Sequence, residues 1–261
     1  MIKLLRYFFI LLGLSLSTQT VAAEFTEAVT RVKQTVVGVG TYDVIRRPQN
    51  EVLGTGFAVG DGTLVLTARH VPYARNVGAE SAAVQLSVFV GNGDDSVIRK
   101  AEIVFEDRYY DIVVLKIEGD PLPVLALSTD GVRADGTDIA FTGFPIGAAY
   151  GLYKATHRGM IAASTPLVRP QTRQGILSSD MIRRLKQKRM VYQLDGTSFP
   201  GNSGGPVFDV KTGQVIAMIS STFVHDSKDT GLEKPSSITF AMPAAYLAEA
   251  LRAYKQQSSA P

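Results

Sequence analysis

The sequence predicts an all-β chain, a barrel or a sandwich, on two observations. Short runs rich in β-branched and aromatic residues recur at close intervals, divided by Gly-, Asp- and Asn-bearing turns. No helical periodicity is interleaved between them, which argues against alternating βα units and their parallel sheet. The 261 residues, 45% apolar and 20% charged, supply a sizeable core.

The N-terminus stands outside that core. Lys3 and Arg6 precede an apolar run from Tyr7 to Leu16, and Val21-Ala22-Ala23 puts small residues before Glu24. This is the layout of a cleavable secretory signal peptide over residues 1–23. The run is shorter than the roughly 20 apolar residues a membrane span needs. No other stretch is long enough to cross a bilayer, so a mature protein without stable membrane insertion is expected. The segment holds two basic and no acidic residues, so its removal lowers the formal charge from +3 to +1. That balance gives no reason to propose nucleic acid as a partner. The chain has no cysteine, which excludes disulfides, thiolate zinc sites and cysteine nucleophiles.

The mature domain, 24–256, opens on Phe25, Ala28, Val29 and Val32, spaced as on one helix face. "TVVGVGTYDV" then reads as a strand. "GTGFAVGDGTLVLTARHV" reads as two, joined at Gly60-Asp61-Gly62. "AVQLSVFV" alternates and "DIVVLKI" is continuously apolar; "TDIAFTGFP", "VIAMISSTFV" and "SSITFAM" follow. Gly91-Asn92-Gly93, Gly119-Asp120-Pro121 and Lys211-Thr212-Gly213 mark turns. "AAYLAEALRAY" has helical spacing, with Pro243 suited to its first turn. Residues 257–261 are a polar tail. Residues 165–190 are the least strand-like interior part; five basic residues in "MIRRLKQKRM" surround Met181, Ile182 and Leu185, as on a solvated helix or loop.

Chemistry is concentrated at "FPGNSGGPV", residues 199–207, where glycines surround Ser203. Glycine is used where the backbone takes positive φ or lies against another group, so the pattern points to a serine held on a rigid turn. A serine hydroxyl is a poor nucleophile until a base takes its proton. Of the three histidines, His70 follows an apolar strand in "LTARHV". His157 and His225 lie among polar or basic residues and read as solvated. The imidazole needs a group to orient it and to stabilise its charged form. Asp111, opening "DIVVLKI", is the candidate, because a carboxylate at so apolar a boundary is costly unless hydrogen-bonded. Asp94, Asp95, Glu106 and Asp107 have more polar surroundings and suit the surface. "GTGFAVG" lacks the spacing and following helix of a dinucleotide loop, and "GNGDDS" lacks that of a calcium loop.

"GTGFAV", "LTARHV", "DIVVLKI", "GNSGGPV" and "ITFAMP" occur in the order and spacing of trypsin-like serine peptidases. The chain resembles most closely the bacterial HtrA/Deg protease domain, from about Val36 to the closing helix. The resemblance implies two packed six-stranded antiparallel β-barrels with catalytic groups in the cleft between them. It implies His70 as general base and acid, Asp111 as its partner, and Ser203 as nucleophile. The N–H groups of Gly201 and Ser203 would form the oxyanion hole. The primary specificity pocket would be built by Thr197, Ser198, Ser220, Ser221 and Thr222. That uncharged set, with Thr222 narrowing the mouth, suggests small aliphatic residues on the acyl side of the cleaved bond.

The activity implied is that of an exported serine endopeptidase acting on protein or peptide, without cofactor or metal. It would reside in the periplasm of a Gram-negative cell and otherwise be secreted. The alternative is a silent or latent peptidase-fold protein that binds peptides. Asn202 stands where digestive members carry the aspartate that captures a newly freed N-terminus, so that activation is not expected. Arg69 departs from the family's usual alanine or asparagine. The resemblance ends with the closing helix, and no PDZ domain is expected.

Overall fold

A computed structural model describes residues 24–74, 84–146, 151–166, 190–220 and 236–258. The segment expected to be a signal peptide, His225, Ser221, Thr222 and most of the basic 165–190 segment lie outside these residues.

Helix α1 runs through 24–35. Ala28 and Val32, one turn apart, are fully buried, as the spacing predicts. The first barrel follows: β1 (Val36–Asp43), β2 (Asn50–Val59), β3 (Leu64–Ala68), β4 (Val84–Val90), β5 (Val97–Asp107) and β6 (Ile112–Ile117). Its antiparallel strands close in the order β1-β2-β3-β6-β5-β4. β2 and β3 are the hairpin expected at Gly60-Asp61-Gly62, with Gly60 and Gly62 both at positive φ.

The second barrel holds β7 (Asp138–Gly143), β8 (Ala155–Pro166), β9 (Met190–Ser198), β10 (Pro206–Asp209), β11 (Val215–Ile219) and β12 (Ser236–Pro243). It closes as β10-β11-β12-β9-β8-β7. Two closed six-stranded barrels are thus observed. Closure pairs both edges of each sheet and removes the exposed hydrogen-bonding rim of an open one. One core cluster fills the first barrel and continues beneath the flanking helices, and a second fills the other barrel.

The crossing between barrels is tied down at Ser128, whose N–H donates to Val215 O at 2.7 Å. Helix α2 is one turn, His70–Tyr73, and α3 spans Ala244–Ser258. Pro243 ends β12 rather than sitting within the helix. α3 bridges the two barrels: Tyr246 stacks on Tyr110 at 4.2 Å between ring centres, and its hydroxyl accepts from the N–H of Met190. Among the described residues no helix is long and apolar enough to cross a membrane.

A second tie joins the barrels through Lys154. Its Nζ donates to Lys33 O at 2.9 Å, near the C-terminal end of α1, while its N–H donates to Asn92 Oδ1. Burial, helped by repulsion from Lys33, pushes the ammonium from the ordinary 10.5 down to about 8. The folded protein thus binds this proton less tightly than the unfolded chain does. Stability from this group should rise with pH between about 8 and 10.5 and be level below that window. Urea unfolding of wild type and Lys154→Met across pH 7–11 checks this: the stability difference should shift in favour of wild type as pH rises through the window.

Candidate active site

His70 begins α2 directly after β3, and Asp111 precedes β6, the strand paired with β3 through Ala68↔Ile112. The ladder continues one step past the strands, where the Arg69 N–H donates to Asp111 O at 2.8 Å. Asp111 has φ of +58°, in the left-handed region that aspartate tolerates better than most residues. That turn brings its carboxylate back over His70. Oδ1 accepts from the His70 backbone N–H at 3.0 Å, and Oδ2 lies 2.8 Å from His70 Nδ1. Asp111 is 5% exposed, so its charge depends on these partners. Another is Ser220, whose hydroxyl donates to Oδ2 at 2.8 Å. Ser220, expected in the pocket wall, turns its side chain to Asp111.

Ser203 approaches from the second barrel. The loop after β9 carries it, and the Gly204 N–H donates to Ile219 O beside Ser220. The Thr55 N–H donates to Ser203 O at 2.8 Å. A side chain added at Gly54 would strike both Val71, next to His70, and Ser203 O. The seam between β2 and the serine loop therefore admits no side chain at that position. It brings Ser203, His70 and Asp111 into one neighbourhood.

Thr55 is a positioning residue with no separate signal in the sequence beyond its place in "GTGFAV". Its hydroxyl donates to Gly201 O at 2.6 Å and accepts from the Phe144 N–H, joining β2, the serine loop and the end of β7. Two carbonyls behind the loop aim its donors. Pro200 O accepts from the Ile146 N–H and Asn202 O from the Gly205 N–H. Neither following peptide is cis, and a trans peptide points N–H opposite to C=O. The Gly201 N–H is therefore directed away from Ile146, and the Ser203 N–H away from the Gly205 turn. Ile146 holds its end at φ of +62°, a strained conformation for a β-branched residue that costs about 1–3 kcal/mol.

Gly201 has φ of +96° and Gly204 +85°, so at both the absence of Cβ is required. At Gly204 an added Cβ would lie 2.1 Å from Thr55 O and 2.3 Å from Thr67 Oγ1. Gly204→Ala should cost about 1–2 kcal/mol for the left-handed conformation and about 1–3 kcal/mol more for the overlap. It should also displace Ser203. Gly136→Ala is the control, since Gly136 has φ of +82° with nothing within 4 Å of the added carbon. It should lose only the first contribution in denaturant unfolding and keep its activity.

Arg69 now has a structural account. Its Nε donates to Glu106 Oε2 at 3.0 Å, and its guanidinium lies 4.3 Å from the centre of the Tyr73 ring. Tyr73 donates its hydroxyl to the same oxygen, and Arg108 Nε donates to Oε1. These donors, Arg108 foremost and then Tyr73 and Arg69, hold the Glu106 carboxyl at about 2. The network clamps α2 to the end of β5, on either side of the His70–Asp111 pair. Asp107 serves the same turn, accepting from the Tyr109 and Tyr110 N–H groups.

Among the pocket residues, Thr197 is exposed and Ser198 is buried. His157 is not solvated, as its polar neighbours suggested. It is cross-strand from Phe141, their rings 5.0 Å apart and stacked, and burial pushes its imidazole below the ordinary 6.5.

A family model described as a trypsin-like peptidase domain matches residues 54–218. A periplasmic serine endoprotease, DegP-like, of Pseudomonas savastanoi pv. phaseolicola is 27% identical over 200 residues, 77% of this chain and 35% of the relative. The like-named protein of Halomonas elongata is 30% identical over 197 residues, 74% of this chain and 34% of its own length. The chain therefore spans about a third of the length of these relatives. A serine endoprotease from Yersinia pestis superposes with a TM-score of 0.60 at 23% identity, covering 90% of this chain and 67% of that one. An HtrA-type protease, AlgW, solved with a tripeptide, superposes at 0.59 and 24% identity, covering 88% and 62%.

Proposed function

Because the chain belongs to the trypsin-like peptidase domain family, we propose that it is an exported serine endopeptidase working through an acyl-enzyme. Ser203 Oγ attacks the peptide carbonyl, and His70 takes its proton and later returns it to the leaving amine. Asp111 keeps the imidazole in the Nδ1–H tautomer and stabilises the imidazolium. The Gly201 and Ser203 N–H groups receive the charge that develops on the carbonyl oxygen. Losing one such donor costs roughly 10²–10³ in rate. The observation that carries the reading is the 2.8 Å contact of His70 Nδ1 with a buried Asp111 also bonded by Ser220. A histidine serving structure alone has no need of a desolvated carboxylate held by further donors. Export rests on the N-terminal segment and on the periplasmic naming of the relatives. The test is covalent capture by a fluorophosphonate probe, with Ser203→Ala unlabelled, followed by digestion of a peptide library.

A latent resting state is the second reading, and Asn202 favours it. Its side chain is fully buried, yet neither Oδ1 nor Nδ2 has a hydrogen-bond partner among the described residues. Such orphaned groups cost about 1–3 kcal/mol each. A rearrangement that paired them would therefore be favoured. Titrating the labelled fraction with and without added peptide separates the readings: complete labelling without peptide excludes latency.

A further inference from the structure

We infer that Glu106 is a positioning residue for catalysis: its carboxylate fastens both the helical turn that begins on His70 and the turn that ends on Asp111, and so fixes the two side chains relative to each other. The inference rests on the peptidase reading of Ser203, His70 and Asp111, and adds a residue that acts through that pair.

Strand register puts the carboxylate where both elements leave the first barrel. Glu106 on β5 is paired with Val113 on β6, which is paired with Thr67 on β3. The next row, Asp107–Ile112–Ala68, is the last of the ladder. Past it the chain leaves β3 as Arg69-His70 and enters β6 from Asp111. Three donors from these two exits converge on Glu106. Arg69 Nε and the Tyr73 hydroxyl reach Oε2 at 3.0 and 2.9 Å, and Arg108 Nε reaches Oε1 at 2.8 Å. Arg69 and Tyr73 bracket α2, whereas Arg108 belongs to the turn that ends on Asp111.

α2 needs such an anchor. It is a single turn without a side-chain hydrogen bond at its N-cap, far shorter than a helix that persists unaided. Val71 and Pro72 are buried and keep it on the barrel. Apolar burial is non-directional, however, so it leaves the rotation of the turn open. Hydrogen bonds at both ends fix that rotation, and with it the His70 N–H on Oδ1 and the ring on Oδ2 of Asp111.

A purely structural role would gain little at this place. The Glu106 side chain is about a quarter exposed and that of Arg108 about three quarters, and ion pairs so open to solvent add little to folding. Orientation is a different matter, because a catalytic group misplaced by about 1 Å can cost roughly 10² in rate. The Glu106 carboxyl, held at about 2 by Arg108 foremost, stays ionised at neutral pH, so the anchor is present where the enzyme would work.

Kinetics on one quenched peptide, the rate of fluorophosphonate labelling at Ser203 and thermal melts test this. The variants are Glu106→Ala, Glu106→Gln, Arg69→Ala, Arg69→Lys and Glu102→Ala. Glu106→Ala should lower kcat about ten- to a hundredfold, with KM within about threefold, labelling slowed in parallel and the melt nearly unchanged. Glu106→Gln should lose less, since its one acceptor oxygen can keep Arg69 and Tyr73 while giving up Arg108. Arg69→Ala should slow both reactions, and Arg69→Lys should recover part of the loss because an ammonium still donates to the carboxylate. Glu102→Ala breaks an ion pair with Lys100 on the same strand, away from His70, and should match wild type. If Glu106→Ala matches wild type in kcat and labelling, or loses only what its melt accounts for, the inference falls and the peptidase reading stands. If wild type neither cuts peptide nor takes the label, both fall. Should Glu106→Ala fail to fold, Glu106→Gln and Arg69→Ala decide alone.

Discussion

Ser203→Ala and His70→Ala should each lower kcat by roughly 10⁶, and the double variant should be no slower than either alone. The hydroxyl and the imidazole act as one unit: without the base the nucleophile keeps its proton, and without the nucleophile the base has nothing to activate. Their losses therefore cannot add. A residual rate of roughly 10³–10⁴ over water should survive, because the Gly201 and Ser203 N–H groups belong to the backbone. The fold should tolerate both changes. The Ser203 backbone is held through its carbonyl by Thr55, a contact indifferent to the side chain. The His70 side chain is about a third exposed, so its truncation opens no closed cavity. Asp111 keeps Ser220 and the backbone N–H of residue 70 as donors. Kinetics on one quenched peptide, with thermal melts of all three variants, make the check. A double variant much slower than either single one would show that the two residues act independently and would remove them from a common unit.

The nucleophile loop was legible because its demands are local. Gly201 and Gly204 must be glycine for conformational reasons, and such reasons leave marks at single positions. His70 and Asp111 were legible because each adjoins a strand of strong apolar signal. What escaped depends on contacts distant in the chain. Nothing near Ser220 announces that its hydroxyl reaches Asp111, 109 residues away. Thr55 spans 146 residues to Gly201. Arg69 is explained only once β5 brings Glu106 beside it. β5 and β8 were themselves faint, and their burial gives the reason. Each has a single buried residue, Ala101 and Ile161, so neither carries the alternation from which a strand is recognised. They are strands by pairing in a closed barrel rather than by hydrophobic pattern. His157 was misjudged on the same ground: its sequence neighbours are polar, whereas its cross-strand neighbour is Phe141.

Asp111→Asn should fold normally and lose roughly 10⁴ in kcat. Asparagine accepts the left-handed conformation at φ of +58° as readily as aspartate, so the turn should persist. The amide has one acceptor oxygen where the carboxylate had two. That oxygen should face the backbone N–H of His70, because the opposite orientation would set two donors against each other at 3.0 Å. The amide nitrogen then takes the place of Oδ2, 2.8 Å from His70 Nδ1. Two donors cannot share that contact, so Nδ1 must be the bare nitrogen and Nε2 must carry the proton. The imidazole is then unable to accept the Ser203 proton, and no negative charge remains to stabilise the imidazolium. Ser220 can adapt, since a hydroxyl turns from donor to acceptor by rotation. The loss should therefore appear in kcat with little change in thermal stability. Asp107→Asn is the discriminating comparison. Its Oδ1 accepts the Tyr109 and Tyr110 N–H groups, and an asparagine oxygen accepts them as well, so activity should remain near wild type. Were Asp107→Asn inactive and Asp111→Asn near wild type, the carboxylate that orients His70 would have to be reassigned.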